Sequence, residues 1–194
     1  MKSIKNLLSL GVAAALGIAT FASTASAEAP SDVKEIKAIQ DRGVLRVGVK
    51  NDVVGFSVKD PLSGEYTGFE DTLATLIAKE IGEDVEVEFT AVTAATRSEL
   101  IDSGDLDCVL ATFTITPERK KNWDFSTPYY QDAVSVLVEN KSEIHHLKDL
   151  LGKTVGVSSG STSAKALVQA MIDNKILDGK NFNADKFDPA TWTE

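Results

Sequence analysis

One stretch decides the fold of this 194-residue chain: Val44–Val49, with the sequence VLRVGV. Apart from Arg46 it is apolar and rich in β-branched valine, as expected for a strand at the centre of a parallel sheet. A short helix over 32–42 is predicted before it, and a longer helix over 70–81, ended by Gly82, after it. Because strands and helices alternate, the sequence favours a parallel α/β sheet.

Further predicted elements continue this alternation towards the C-terminus. The loop over 51–68 contains the turn residues Asp60–Gly64, which could close a hairpin. Thr116 and Pro117 have the residue types of a helix N-cap and first helical position. The remaining predictions are strands over 85–89, 106–111, Ala133–Val138 and Thr154–Val157, and helices over 96–103, 147–151 and 161–174.

The first 27 residues have the three parts of a secretory leader. Lys2 and Lys5 give a positive start, an apolar run covers 7–22, and Ala25-Ser26-Ala27 provides the small residues for cleavage before Glu28. The apolar run is too short to span a bilayer comfortably, which takes about 20 residues. No cysteine near the cleavage point offers a site for a lipid. We therefore expect an exported, freely diffusing periplasmic protein.

Charge and cysteine content exclude several classes of function. The formal net charge of −9 becomes −11 when Lys2 and Lys5 are removed, so binding to nucleic acid or anionic lipid is not expected. Cys108 is the only cysteine and lies in an apolar run, which excludes an internal disulfide and predicts a buried thiol. Adjacent histidines such as His145 and His146 do not suit one metal ion, and we expect neither metal nor cofactor.

The run ATFTITPER, over 111–119, is the most informative for function. It places Thr112 and Thr114 at the carboxyl end of a strand, where ligands collect in open α/β sheets, and Arg119 one turn into a helix. Arg can donate two parallel hydrogen bonds to a carboxylate, and a helix N-terminus also favours an anion. The alternative is that Thr116 only caps the helix and Arg119 is a solvated cation. The residue types alone leave both interpretations open.

Three motifs, in this order and spacing, carry a resemblance to a known family. Gly68-Phe69-Glu70, the run TITPER over 114–119 and the run DFSTPYY over 124–130 resemble the family 3 solute-binding proteins of polar amino-acid ABC importers. The resemblance covers the chain from about Ile36 to its end. It implies the type II periplasmic binding protein fold, in which two α/β lobes joined by crossovers close on an amino acid. Lobe one would cover 28–126, the first crossover hinge 127–132 and lobe two 133–194.

The resemblance also implies which residues contact the ligand. Arg119 would hold the α-carboxylate with help from Thr114, and the aromatic ring of Phe56 would cover the ligand. Lobe two would contribute Ser161 and Thr162, which lie after its early strand and could equally cap a helix. Thr112, at the end of its strand, completes this set.

Two further cations bear on ligand specificity. Arg97 begins a predicted helix, where a cation opposes the helix dipole, so its placement invites a functional interpretation. The segment is similar to that of aspartate- and glutamate-binding members, in which this arginine meets the ligand's side-chain carboxylate, and Lys50 resembles a second cation nearby. The alternatives are surface salt bridges with Asp52 or Glu99, and glutamine-binding relatives can also carry such an arginine.

Lobe two is short for this family. It holds 62 residues, whereas relatives continue for several more strands and helices and include there an acid that pairs with the ligand's amino group. We therefore expect this chain to be a fragment, a truncated reading frame or one half of a split protein. Residues 133–194 should then be loosely packed and expose apolar surface.

Three classes of function remain to be compared. The leading prediction is a monomeric, non-enzymatic receptor that binds aspartate, glutamate or a similar polar amino acid and docks on a membrane permease. A periplasmic enzyme on the same fold, such as a dehydratase, is the first alternative, although no nucleophile with a positioned base is evident. A surface adhesin or antigen, which needs no intact pocket, is the second.

Overall fold

The computed structural model describes residues 33–178. The predicted leader over 1–27 lies outside the described residues, and so do residues 179–194. Within the described range, no helix has the length and apolar character needed to cross a membrane. The elements, in chain order, are α1 (Lys34–Arg42), β1 (Val44–Val49), β2 (Asp52–Val53), β3 (Ser57–Lys59), β4 (Tyr66–Thr67), α2 (Phe69–Ile81), β5 (Glu86–Ala91), α3 (Arg97–Asp102), β6 (Cys108–Leu110) and α4 (Ser163–Asp173).

The predicted parallel sheet is confirmed. Its strand order is β5-β1-β6, and β1 runs parallel to both neighbours, with Val47 opposite Phe89 on one side and Cys108 on the other. The central position of β1 explains its valine-rich sequence, because both of its edges are paired and its side chains are covered on both faces.

One face of β1 packs into an apolar cluster, and the other face lies against a second cluster at Gly48. Leu45, Val47 and Val49 are buried in the larger cluster, with apolar residues of α1 and α2. Gly48 points the other way, where a Cβ would lie 2.7 Å from a methyl group of Leu106. The smaller cluster on that face includes Leu106 and residues of α3. The sheet is therefore covered by α1 and α2 on one face and by α3 on the other, as in α/β folds.

The loop over 51–68 contains a small antiparallel sheet that the sequence pattern did not predict. Strands β2, β3 and β4 pair in that order. The predicted hairpin turn is confirmed, since the Asp60 carboxylate accepts the N–H groups of Leu62 at 2.7 Å and Ser63 at 2.8 Å. These strands are only two or three residues long, which is too short for an alternating pattern to reveal them.

The start of α2 is fixed against the loop between β2 and β3. The N–H of Glu70 donates to the carbonyl of Phe56 at 2.9 Å, and the N–H of Phe69 donates to that of Gly55 at 3.0 Å. A Cβ at position 68 would lie 2.1 Å from the Phe56 carbonyl oxygen, so only glycine allows this approach. The GFE motif thus positions the loop that carries Phe56.

At the amino-terminal end of β6, Asp107 joins three backbone segments. Its carboxylate accepts the backbone N–H of Arg46 at 2.8 Å and the guanidinium of Arg46 at 2.8 Å, and it also pairs with Arg42. Burial acts to raise the pKa of Asp107, but the hydrogen bonds from Arg46 outweigh it and lower that pKa. This ion pair stabilises the end of the sheet opposite to Thr112.

Beyond the sheet, the two strands predicted over Ala133–Val138 and Thr154–Val157 are wrong for the described part of the chain. Both segments are irregular, and no neighbouring segment there pairs with them. Their β-branched residues favour an extended chain, but a strand also requires a partner for its backbone hydrogen bonds. The predicted helices are confirmed as the 3-10 helix Leu147–Leu150 and as α4, which pack through Leu150, Leu167 and Met171.

The segment 133–138 exposes apolar side chains. Leu137 is 99% exposed and Val134 is 55% exposed. A cavity of about 370 Å³ between this segment and α4 is lined mainly by apolar residues, with His145 and His146 at its wall. It contains none of the predicted ligand-binding residues.

Candidate ligand-binding site

The carboxyl ends of β1 and β6 lie side by side, because Val49 is paired with Leu110. Lys50 follows the first of these strands, and Thr112 and Thr114 follow the second. Both threonines are exposed. The prediction that these polar residues reach one edge of the sheet is confirmed, although the amine of Lys50 also lies 3.6 Å from the Asp52 carboxylate. The salt bridge that was the alternative interpretation of Lys50 is therefore present.

Arg119 begins the 3-10 helix Arg119–Lys121, where the sequence predicted a short helix. Its N–H donates to the hydroxyl of Thr116 at 3.2 Å. The prediction of Thr116 as N-cap and Pro117 as first helical residue is wrong, because the helix begins two residues later and its N-cap is Glu118. The guanidinium of Arg119 donates to the carbonyl of Thr114 at 2.7 Å and to the carbonyl of Gly160 at 2.9 Å. Arg119 is therefore not a free surface cation, because its guanidinium is hydrogen-bonded to two backbone carbonyls.

Gly160 brings the loop before α4 against lobe one. A Cβ at this position would lie 2.5 Å from the carbonyl oxygen of Ala94, so a side chain would force the two segments apart. Ser161 and Thr162 follow directly, and the first N–H of α4, from Ser163, donates to the Ser161 hydroxyl at 3.3 Å. The predicted lobe-two residues thus adjoin the partner of Arg119, and Ser161 also serves the start of the helix.

Arg97 lies beneath the same loop and is only 3% exposed. It donates to the carbonyls of Ala111 at 2.6 Å and Thr112 at 3.3 Å, and its Nε has no partner. Burial and the nearby cation of Arg119 lower the pKa of Arg97 to about 10, so it is still charged at neutral pH. Its partners are backbone carbonyls, and not Glu99 as the salt-bridge alternative supposed. The contact of Arg97 with a ligand's side-chain carboxylate stays a prediction.

The ring of Phe113 separates the two arginines. The guanidinium carbons of Arg97 and Arg119 lie 4.0 Å and 4.4 Å from the ring centroid, within the range of cation–π contacts. Trp123 and Phe125 pack against the same ring, with centroids at 5.8 Å and 5.4 Å. Sequence reasoning did not select Phe113, although its place between Thr112 and Thr114 was a usable signal.

Phe56 belongs to an aromatic cluster between lobe one and the crossover. Its ring centroid lies 4.8 Å from that of Tyr130 and 6.3 Å from that of Phe69, and Phe69 lies 5.9 Å from Tyr129. These edge-to-face and tilted contacts are stabilising geometries for aromatic pairs. The cluster connects the loop after β2 to the crossover residues, and the ligand contact proposed for Phe56 stays a prediction.

Glu70 is the second residue that sequence reasoning missed. It entered the sequence analysis only as part of the Gly68-Phe69-Glu70 motif, but its side chain has no exposed surface. One carboxylate oxygen accepts the N–H of Thr112 at 2.8 Å and the hydroxyl of Tyr129 at 2.7 Å, while the other has no partner. Burial and this bond to Glu70 raise the pKa of Tyr129. A buried acid therefore links the strand end to the crossover.

An open cleft adjoins Arg119. Its volume is about 280 Å³, close to the lower end of the range of about 300–1,000 Å³ usual for small-molecule sites. Within residues 33–178 no group of three acidic, histidine or cysteine side chains is arranged to hold a metal ion. The cleft is lined by Ala94, Ala95, Ser98, Phe113, Glu118, Arg119, Asn122, Trp123 and Gly160.

Comparison with known proteins identifies the family. The sequence profile of the bacterial extracellular solute-binding proteins, family 3, matches residues 45–183. The chain belongs to this family, which confirms the resemblance inferred from its three motifs.

The relatives include amino-acid-binding proteins. The chain is 37% identical to the glutamine-binding protein of Geobacillus stearothermophilus, over 81% of this chain and 61% of the relative. It is 36% identical to the ABC transporter glutamine-binding protein GlnH of Bacillus subtilis, over 94% of this chain and 68% of the relative. Among solved structures, an ancestral amino acid-binding protein described as a precursor of cyclohexadienyl dehydratase matches 59% of this chain and 51% of its own, with 43% identity and a TM-score of 0.54.

The chain thus spans about six to seven tenths of the length of these two glutamine-binding relatives. The family match, over residues 45–183, runs from β1 to beyond α4. The site described above lies within this part.

Proposed function

We propose that the protein is an extracytoplasmic receptor that captures a free polar amino acid and delivers it to the permease of an ABC importer. The observation that carries this proposal is the position of Arg119, which lines a cleft of about 280 Å³ and donates to the carbonyls of Thr114 and Gly160. Membership of the family supports it, and so do the two relatives that are glutamine-binding proteins. We also propose that the protein is exported, cleaved before Glu28, monomeric and not an enzyme.

The chemistry of capture follows from the partners of Arg119. An α-carboxylate is a stronger acceptor than a neutral carbonyl, because hydrogen bonds between two ionised groups are charge-assisted. A ligand carboxylate would therefore replace the carbonyls of Thr114 and Gly160 at the guanidinium. The hydroxyls of Thr112 and Thr114, both exposed, lie on the same loop to complete the carboxylate's hydrogen bonds.

The protein partners of Arg97 and Lys50 bear on whether the ligand's side chain is acidic or neutral. Arg97 and Lys50 are the cations that the proposed aspartate or glutamate ligand would meet. In the structure both have protein partners, Arg97 on two carbonyls and Lys50 on Asp52, which a second carboxylate would have to displace or share. A neutral polar ligand requires no such exchange, and the two relatives described above are glutamine-binding proteins. Glutamine is therefore a candidate ligand beside glutamate and aspartate.

Isothermal titration calorimetry with the twenty amino acids tests the proposal. We expect micromolar or tighter binding of at least one of glutamate, aspartate and glutamine by the full protein. Arg119→Ala should weaken it by at least about a hundredfold, or roughly 3 kcal/mol, because a charged hydrogen-bond partner is lost. Lys120→Ala is the matched control, since it removes the same charge from the exposed neighbouring residue and should change the affinity less than about twofold.

The same titrations decide the side-chain class. If Arg97 meets an acidic side chain, Arg97→Ala weakens glutamate far more than glutamine, whereas equal losses contradict that role. Absence of binding to all twenty amino acids by the protein would contradict the receptor itself.

A further inference from the structure

The peptide group between Ala111 and Thr112 is hydrogen-bonded at both ends to buried side chains, one basic and one acidic. Its carbonyl accepts a hydrogen bond from Arg97 at 2.6 Å, and its N–H donates to Glu70 at 2.8 Å. Glu70 has no exposed surface and Arg97 is 3% exposed, so both bonds are shielded from water. Hydrogen bonds at both ends of one peptide plane fix its orientation.

This peptide group needs such support because the next backbone angle is unfavourable. Thr112 has a φ of 49°, in the left-handed region that β-branched residues rarely adopt. A conformation of this kind persists only where the surrounding structure enforces it, and it is characteristic of functional sites. Here the enforcing groups are Glu70 on the N–H side and Arg97, which also donates to the carbonyl of Thr112 at 3.3 Å.

The strained residue begins the loop that carries the proposed carboxylate site. Thr112, Phe113 and Thr114 follow one another, and the carbonyl of Thr114 is bonded to Arg119. A rotation at Thr112 would therefore displace the Phe113 ring and the carbonyl that orients Arg119. The position of the guanidinium depends on this turn, although Glu70 itself does not contact Arg119 in any hydrogen bond described above.

Glu70 also joins this loop to the crossover. The oxygen that accepts the Thr112 N–H accepts the Tyr129 hydroxyl as well, at 2.7 Å. Tyr129 lies in the segment 127–132, the proposed hinge between the lobes. One carboxylate oxygen is thus shared by the binding loop and the segment that must bend when lobes close.

We propose that Glu70 is a positioning residue of the amino-acid site, which holds the Ala111–Thr112 peptide in its strained conformation and couples it to the crossover through Tyr129. The inference rests on the proposed function for its consequence on affinity. Its structural content, the state of the Thr112 peptide, is measurable without any ligand.

The first experiment measures affinity and thermal stability for Glu70→Ala, Glu70→Gln and Asp107→Asn, with glutamine, glutamate and aspartate as probes. Glu70→Ala should weaken binding at least about tenfold, because small displacements of positioning groups are costly. Glu70→Gln keeps a side-chain oxygen for the two donors and should stay within about threefold of the wild type. Asp107→Asn, which weakens the opposite end of β6, should lower the melting temperature and leave affinity within about twofold.

The second experiment follows the Thr112 amide by NMR in the ligand-free protein. We expect its signal to shift and its hydrogen exchange to accelerate at least about tenfold in Glu70→Ala, and to be nearly unchanged in Asp107→Asn and Glu70→Gln. If no amino acid binds, the proposed function fails, and the Thr112 amide still decides the role of Glu70.

Two results would overturn the inference: a Glu70→Ala protein that binds within twofold of wild type, or one whose Thr112 amide is unchanged. If Glu70→Ala does not fold, Tyr129→Phe carries the test, because it removes one hydroxyl without a cavity. We expect the Thr112 amide to stay protected from exchange but its NMR signal to shift, because the lost hydroxyl shares the accepting oxygen of Glu70. Ligand dissociation should be at least about threefold faster, since the coupling to the crossover is lost. In that case, an unchanged dissociation rate, or no ligand binding with a Thr112 amide signal identical to wild type, contradicts the inference.

Discussion

At the scale of single residues, the site depends on burying charge next to backbone. Arg97 and Glu70 are both excluded from water, and each is hydrogen-bonded to the peptide backbone around Thr112. Glu70 also accepts the Tyr129 hydroxyl. Charged groups are costly to bury unless they are paired or hydrogen-bonded, so their burial here serves the geometry of the loop. The neighbouring acid Asp71 is also buried, with the Ser57 hydroxyl as its partner, and burial raises its pKa.

One carboxyl oxygen of Asp71 is hydrogen-bonded to the Ser57 hydroxyl at 2.7 Å, and the other oxygen has no hydrogen-bond partner. The Ser57 hydroxyl has one proton and also bonds the carbonyl of Lys50, so the protonated form of Asp71 best satisfies both bonds. Burial raises the pKa of Asp71, with the Ser57 bond acting in the opposite direction. The folded state therefore retains this proton at pH values where the unfolded chain releases it.

The sign of the pH effect follows from this difference. Stability falls as pH rises from the unfolded pKa of about 3.9 towards the raised folded pKa, because the native state binds more protons there. We expect Asp71→Asn to gain stability relative to the wild type as pH rises from about 3 to 6, since the amide can donate to Ser57 at every pH. Urea unfolding at several pH values measures the difference, and a constant difference across that range would contradict it.

Sequence reasoning can select candidates whose chemistry is visible locally. Arg119, Thr114 and Thr116 were candidates because they stand in one run with the residue types of a helix start and a carboxylate site, and the proposed ligand contacts of Arg119 and Thr114 stay predictions. Glu70 and Phe113 could not be assigned, because their roles depend on contacts with Thr112, Tyr129 and two arginines. An acid at the start of a helix is ordinarily explained by the helix dipole, and only burial shows that this one is different.

At the scale of elements, the junction between β2, β3 and α2 is the tightest backbone contact that involves the site. Position 68 has no room for a side chain because the Phe56 carbonyl would lie 2.1 Å from its Cβ. The same junction holds the two N–H groups at the start of α2 and therefore the register of Glu70.

Gly68→Ala should separate α2 from this loop. We expect the free energy of unfolding to fall by about 1–3 kcal/mol, because a close-packed backbone must move to admit the methyl group. Gly156→Ala is the matched control, since its Cβ would meet nothing within 4 Å, and its effect should stay within about 0.5 kcal/mol. Chemical denaturation compares the two variants, and equal stabilities would show that the contact at position 68 is not tight in solution.

The strands that were predicted correctly and those that were not differ in their surroundings more than in composition. Val44–Val49 and Ala133–Val138 are both rich in valine, but only the first has neighbours on both sides in the described part of the chain. Pairing between strands is a long-range property, which local periodicity does not contain. The helices around 69–81 and 163–173 could be predicted because their hydrogen bonds and apolar faces are local.

At the scale of the whole molecule, packing is uneven along the chain. The parallel sheet has both faces covered, whereas 133–138 leaves Val134 and Leu137 in water and its backbone without strand partners among residues 33–178. Regions with few buried apolar contacts and unpaired backbone open at low free energy.

Limited proteolysis should therefore begin in 131–143 and leave the segment from β1 to β6 intact longest. Proteinase K is suitable because it has little sequence preference, and mass spectrometry of the early fragments locates the first cuts. Cleavage inside lobe one before any cut in 131–143, or equal resistance of the two regions, would contradict this expectation. Addition of the preferred amino acid should slow the cuts, since a ligand that binds only the folded state stabilises it.

The contact between Arg119 and the Gly160 carbonyl has a kinetic consequence. Because the guanidinium already donates to the carbonyls of Thr114 and Gly160, a carboxylate that takes these donors competes with bonds inside the protein. The observed association rate should then level off at high ligand concentration, at the rate with which the Gly160 loop leaves Arg119. Part of the enthalpy of the new bond would be offset by the bond that is lost. Uptake by such a receptor would be timed by its own opening as well as by diffusion.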